Sequence, residues 1–230
     1  MAVDIDVVYQ TVLALANKEQ RGYITPQEFN LFANHAQKEI FEQYFYDRQR
    51  STKIPSNKTE FSDLDKLLEE KIQIFTRSAN LEKEAGYFLY PAGTHPMWRL
   101  GVVLVGDVLA EEVSVESYRA LLTLPLLSPT TKRPIYVKRE TGLFVIPSND
   151  LVQVTYVTAP KTVSWGYFVI GNKALYDNGA GKTTHFELHP SEESELVYKI
   201  LKLAGVGMRR EDIARVGQVQ EQAQQQQEKQ

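Results

Sequence analysis

FELHPSEESELVYKILKLAGVGMRREDIARVGQVQEQAQQQQEKQ (residues 186–230) decides how this chain is organised, because a strand end passes there into a capped helix and then into a glutamine-rich one. Pro190 followed by Glu192, Glu193 and Glu195 is a helix start whose acidic first turn complements the helix dipole. Leu196, Val197, Ile200, Leu201 and Ala204 then recur at helical spacing and form an apolar face that needs a partner. Gly205 and Gly207 are expected to break this helix. A last helix is expected from near Arg209, presenting Ile213, Val216, Gln220 and Ala223 at seam-like spacing. Beyond Val219 almost nothing apolar is left to bury. The segment reads as a docking device in two parts. Leu196, Val197, Ile200 and Leu201 dock on the body of the protein. Arg209, Arg210, Ile213, Val216, Val219, Gln220, Ala223 and Gln224 are candidates for contact with another subunit. A disordered tail is the alternative for this arm, since glutamine richness with low hydrophobicity also produces one.

Working towards the N-terminus, the first third is helical by period. Ile5, Val8, Val12 and Leu15 line one face of a first helix that ends near Gly22. Thr25-Pro26-Gln27-Glu28 opens a second helix with a capping box: threonine at the N-cap, proline at N1 and glutamate at N3. Its apolar residues, Phe29, Phe32, Ala33, Ala36, Ile40, Phe41, Tyr44 and Phe45, make a stripe wide enough for more than one neighbour. After the polar stretch RQRSTKIPSNKTE, a third helix carries Phe61, Leu64, Leu68, Ile72 and Phe75.

From about residue 86 the period changes. Residues 87–90, 98–105, 135–139, 143–146, 151–157 and 167–170 are short runs rich in β-branched and aromatic side chains, separated by Pro, Gly and Asn-Asp signals. Glu140-Thr141-Gly142 predicts a tight hairpin, and residues 115–122 a short helix. The chain is therefore expected to be α+β. A helical domain, built from three N-terminal helices and a returning C-terminal one, carries an inserted small antiparallel β sandwich or barrel and a C-terminal helical arm. The expected boundaries are 1–85 and 189–206 for the helical domain, 86–188 for the insert and 207–230 for the arm.

Composition narrows the function classes. Hydrophobic residues are 43% of the chain and charged residues 24%, as in an ordinary globular protein. No run approaches the length of a membrane span, and MAVDIDVVYQ lacks the basic flank and apolar core of a secretion signal, so synthesis in the cytosol is expected. With 0 cysteines, disulfides, thiolate catalysis and cysteine-ligated metals are excluded. A net charge of −3 gives no electrostatic case for nucleic-acid binding.

Three motifs invite a chemical reading and are better explained without one. Residues 17–28 match a calcium loop at Gly22, Ile24 and Glu28, yet Arg21 stands where a ligand oxygen should, and a helix-turn-capping-box connection suffices. Residues 178–184 contain the Gly-Lys-Thr of a phosphate loop, but Tyr176 replaces the required first glycine and an alternating strand pattern follows instead of a helix. His185, Glu187 and His189 share one face if extended, whereas zinc needs three or four convergent ligands; a strand with Phe186 and Leu188 inward accounts for them. The aromatic residues Trp98, Trp165, Tyr87, Phe88, Tyr90, Tyr156, Tyr167 and Phe168 could form a carbohydrate platform, but are expected in the core. No cofactor, metal or catalytic residue is expected.

VYQTVLALANKEQRGYITPQEFNLFANHAQKEIFEQYFYD (8–47), PLLSPTTKRPIYVKR (125–139) and FELHPSEESELVYKILKLAGV (186–206) carry a resemblance. With these blocks the chain resembles head-to-tail connector proteins, the neck or tail ring proteins of crAss-like and related short-tailed bacteriophages. The resemblance implies a non-enzymatic virion protein made in the bacterial cytoplasm. It implies a homo-oligomeric ring of about twelve copies, the cyclic symmetry that head-to-tail contacts produce. Such a ring touches the portal and other neck or tail proteins, and double-stranded DNA passes through it without specific binding. The arm residues named above would then contact a neighbouring subunit or the portal, and no membrane is involved. Two other readings are left open: a peripheral tail module that binds a receptor or glycan through its β domain, and a hydrolase whose site is assembled from distant residues, with His95 or His185 joined to a carboxylate.

Overall fold

In the computed structural model, Thr25 and Glu28 cap a 28-residue helix in the way their spacing predicts. The Glu28 carboxylate accepts from the Thr25 N–H at 3.0 Å and from its hydroxyl at 2.7 Å, while Thr25 Oγ1 accepts from the Glu28 N–H at 3.3 Å. The structure describes residues 3–18, 24–53, 61–91, 95–148, 151–171, 173–179 and 181–207, with 219 and 222. The chain is α+β and divides into two units, Met1–Ile74 with Pro160–Gln230, and Phe75–Ala159. The division therefore falls near residues 75 and 160, not at the expected 86 and 188.

The first unit contains α1 (Ile5–Lys18), α2 (Pro26–Lys53), α3 (Phe61–Gln73) and α5 (Glu193–Gly207), the last entered through a 3-10 turn at Pro190–Glu192. Ile5, Val8, Tyr9, Val12 and Ala16 are the buried stripe of α1. Leu15, expected on that face, is 38% exposed: at about 100° per residue it drifts off the side that Ala16 regains. On α2 the buried side is Phe29, Ala33, Ala36, Ile40, Phe41, Tyr44 and Phe45, with Phe32 half-buried. Helix α5 packs on α1 and α2, and α3 packs on α2. Gly205, expected to break α5, lies inside it, buried; tertiary packing offsets the roughly 1 kcal/mol that glycine costs a helix.

This unit also takes in the chain from Pro160 to Leu188, which the sequence assigned to the β insert. Val163, Trp165, Phe186 and Leu188 are buried here. Residues 183–188 form only isolated bridges, Ser164 with Thr184 and Val3 with Phe186, instead of a strand in a ladder. A hairpin of β10 (Tyr167–Ile170) and β11 (Lys173–Tyr176) completes the unit.

In the second unit, β1 (Thr76–Asn80), β9 (Val152–Thr158), β4 (Met97–Val105) and β5 (Val108–Leu109) form a four-stranded sheet in that order. The other sheet runs β2 (Lys83–Glu84), β3 (Tyr87–Leu89), β8 (Gly142–Ile146), β7 (Ile135–Lys138) and β6 (Glu111–Glu112). Pairings are antiparallel except β6 with β7. Phe88, Tyr136, Leu143 and Val145 from one sheet and Val103, Val105, Val152, Val154 and Tyr156 from the other share one buried cluster. Gly142 is required where β8 meets β3, because a Cβ there would lie 2.3 Å from the Phe88 carbonyl oxygen. Helix α4 (Val115–Thr123) lies between β6 and β7 in sequence. Phe75, expected on the face of α3, lies beyond that helix, and its carbonyl accepts from the Thr158 N–H at 3.0 Å and the Thr158 hydroxyl at 3.2 Å. Among the described residues no helix is long and apolar enough to cross a membrane.

Candidate interaction surfaces

Helix α2 holds an extended piece of chain by a ladder of side-chain amides. Asn30 Oδ1 accepts from the Trp165 N–H at 2.8 Å and Asn30 Nδ2 donates to the Trp165 carbonyl at 3.4 Å. Asn34 does the same for Val163, at 2.8 Å both ways. Gln37 donates to the Lys161 carbonyl at 2.8 Å and accepts from the Glu187 N–H at 3.1 Å. The register has a physical origin: four helical residues advance about 6 Å and two extended residues about 6.6 Å. Gln37, three residues on from Asn34, covers its shorter step with an additional methylene. The amides thus replace the neighbouring strand that residues 161–165 would otherwise need.

The ladder ends at Trp165, which anchors the β10–β11 hairpin. Trp165 is buried, donates Nε1–H to Asp6 Oδ1 at 2.9 Å, and stacks on Tyr167 and Tyr176 with ring centroids 5.8 Å apart in each case. Gly166 follows where a Cβ would meet Thr183 Oγ1 at 2.7 Å and the Asp177 carbonyl at 2.8 Å. The threonine of the Gly-Lys-Thr triplet is used here. Its Oγ1 accepts from the Gly166 N–H at 3.1 Å and donates to the Asp177 carbonyl at 2.6 Å. Lys182 pairs with the Asp177 carboxylate and, with the Gly179 N–H, holds that carboxyl below its usual range. Beyond this fixed base Phe168, Val169, Ile170 and Leu175 are 42%, 63%, 62% and 43% exposed. Phe168 was expected in the core; a two-stranded ribbon has no second layer to cover it.

A second apolar surface lies in the other unit. Ser114 caps α4, accepting from the Ser117 N–H at 3.2 Å, and Tyr118 meets Phe144 edge-on at 5.9 Å. No side chain of α4 is buried. Val115, Leu122, Leu124 and Leu127 are each 40% exposed or more, and Leu126 is 96% exposed. Nearby charges are paired at the surface: Arg133 with Glu111 at 3.0 Å, and Lys138 with Glu112 at 2.8 Å. Burial first, then the adjacent Glu112, pushes the Tyr136 hydroxyl up to about 12, so it stays a donor to Glu112 at 3.2 Å.

The helix assigned to body docking sits in the first unit with Leu196, Val197, Ile200 and Leu201 all at 5% exposure or less. Buried beside them, Lys199 meets Glu39 at 3.2 Å and Glu195 at 3.5 Å, and Lys71 pairs with buried Glu192. Of the arm candidates, Val219 is helical and 65% exposed. Arg209, Arg210, Ile213, Val216, Gln220, Ala223 and Gln224 lie outside the described residues, as do residues 19–23 of the calcium-loop match.

The residues that suggested zinc have separate duties. His185 Nδ1 accepts from the Ile5 N–H at 3.4 Å, Glu187 accepts from the Lys161 N–H at 3.0 Å, and His189 Nδ1 accepts from the Ser191 N–H at 3.3 Å. Among the aromatic candidates for a glycan platform, Phe88, Tyr156 and Trp165 are buried, while Tyr87 and Trp98 reach the surface. Sequence reasoning missed both apolar surfaces. Their signal was the unalternated Phe168-Val169-Ile170 run and the leucines around Pro125, neither of which matches a pattern with one wet side. Comparison with protein-family models and with curated proteins gives no match to this chain.

Proposed function

We propose that this chain is a structural subunit of a virion, assembling head to tail into a ring between the portal and the tail of a tailed bacteriophage. The ring joins capsid to tail and surrounds the channel through which double-stranded DNA leaves. The observation that carries this reading is the pair of exposed apolar surfaces, the β10–β11 ribbon on its hydrogen-bonded base and the leucines at and after α4. The largest exposed apolar patches on a protein surface are often its contact sites. The residues that suggested metal or phosphate chemistry are committed to backbone hydrogen bonds and ion pairs, which suits a non-enzymatic role.

In this reading the second unit is a small sandwich of its two sheets, inserted into the helical body, and residues 207–230 are an arm that reaches a neighbouring copy or the portal. A subunit charge of −3, repeated about twelve times around a cyclic axis, gives a channel to which DNA does not adhere. Negative-stain imaging of the purified full chain, alone and mixed with portal rings from the same phage, tests the assignment. Rings, free or formed only on the portal, are the expected result. Persistent monomers in both samples would overturn it and favour a peripheral module that binds a receptor or glycan through the second unit.

A further inference from the structure

We propose that the β10–β11 hairpin of one copy seats on the leucine surface around Leu126 of the next copy, which makes these two patches the two halves of the subunit contact. The inference rests on the ring reading and names the surfaces that close it.

Size is the first argument. With roughly 150–200 Å² for a fully exposed large apolar side chain, the exposed fractions leave about 250 Å² on the hairpin face formed by Phe168, Ile170 and Leu175 and about 500 Å² around Leu126. The leucine surface is as large as the largest apolar patch on a typical monomer, a patch that is often functional. Brought together the two supply about 750 Å², and at the usual apolar share of somewhat under 60% this corresponds to an interface of about 1,300 Å², within the range of a stable specific contact.

Form is the second. Phe168, Val169 and Ile170 are consecutive, so a ribbon exposing all three is apolar on both faces. The turn that crowns it is polar, with Gly171 at φ 55° and Lys173 opposite Ile170. An apolar shaft with a polar tip fits across a protein surface, and fits poorly in a bilayer, where the tip would be the deepest part. The Trp165, Gly166 and Thr183 base fixes the ribbon before contact, so little ordering cost is left for association.

Direction is the third. The hairpin and the leucine surface are different patches in different units of the chain. A contact between unlike patches that runs one way from copy to copy is heterologous and generates a ring or an open chain, whereas the same two patches exchanged reciprocally would give a closed pair.

The experiment is sedimentation of the full chain over a range of concentrations, with and without portal rings, for the wild type, Ile170→Asp, Leu126→Asp and an equimolar mixture of the two variants. Both positions are exposed, so circular dichroism and melting should match the wild type. Each variant alone should associate at least 10-fold more weakly. The mixture should recover association but stop at two copies, because only one intact hairpin and one intact leucine surface are present. Loss of association in Ile170→Asp alone would mean that hairpins pair with each other and would overturn the proposal. So would wild-type behaviour of both variants, or a wild type that is monomeric alone and with portal. Closed pairs or open chains that both substitutions abolish would keep this contact and remove the ring; rings formed equally by both variants would do the reverse.

Discussion

Glu28 shows how much one exposed side chain does at a helix start. Hydrogen bonds from the Thr25 hydroxyl and then the Thr25 N–H hold its carboxyl below the ordinary value of 4.5. A carboxyl with a lowered native pKa contributes stability above its unfolded pKa, and that contribution is lost as pH falls through the native one. Thr25→Ala removes the hydroxyl half of the box, and a lost cap costs about 1 kcal/mol. The exposure of Glu28 places its charged share at the lower end of such effects. Urea unfolding of Thr25→Ala against the wild type should therefore show a deficit of about 1 kcal/mol at pH 7. The deficit should shrink as pH falls from 4.5 through the lowered native value, where the folded wild type gives up its carboxylate; a deficit that does not change with pH would assign the effect to the Thr25 cap on the Glu28 N–H and to packing, not to the carboxylate. This box was legible in the sequence because every partner lies within four positions.

At the scale of elements, what was legible and what was not divides on whether the partner is local. The four long helices were readable from period and caps, since an amphipathic stripe reports its own buried face. Strand β1, Thr-Arg-Ser-Ala-Asn, escaped because an edge strand with largely exposed side chains carries no β signature. Residues 161–165 and Glu187 fall in the stretch assigned to the β insert but are held by α2, and the propensity scale reports only that such residues suit a half-buried extended backbone. The amide ladder had a faint signal in Asn30, Asn34 and Gln37 at helical spacing beside the buried stripe, yet polar residues on a helix ordinarily mean a wet face. Asn34 is its middle rung. Asn34→Ala leaves the N–H and C=O of buried Val163 without these partners, and each such loss costs about 1–3 kcal/mol. Chemical denaturation should show a loss of about 3 kcal/mol, and Asn34→Asp should not restore it, since a carboxylate cannot donate to the Val163 carbonyl. A loss below about 0.5 kcal/mol, the level of an ordinary surface substitution, would show that the rung is replaceable by water.

At the scale of the whole molecule, the first unit is assembled from both ends of the described chain. Val3 bridges Phe186, and α5 returns to α1 and α2 across the length of the sequence. Among the described residues its C-terminal contribution to the core comes from Leu196, Val197, Ile200, Leu201 and Ala204, all before Gly207. These side chains are already buried in a helix that packs on α1 and α2, while Arg209, Arg210, Ile213, Val216 and the glutamines beyond them are the residues proposed to contact a neighbouring copy or the portal. Folding and assembly should therefore separate at this point in the chain. Removal of residues 209–230 should leave the melting temperature within about 2 °C of the full chain, less than a loss of 1 kcal/mol would produce in a domain of this size. The same deletion should abolish incorporation into particles or onto portal rings, measured by co-sedimentation. Normal incorporation of the shortened chain would assign the whole subunit contact to the folded units, and the hairpin and leucine surfaces would then have to carry it without the arm.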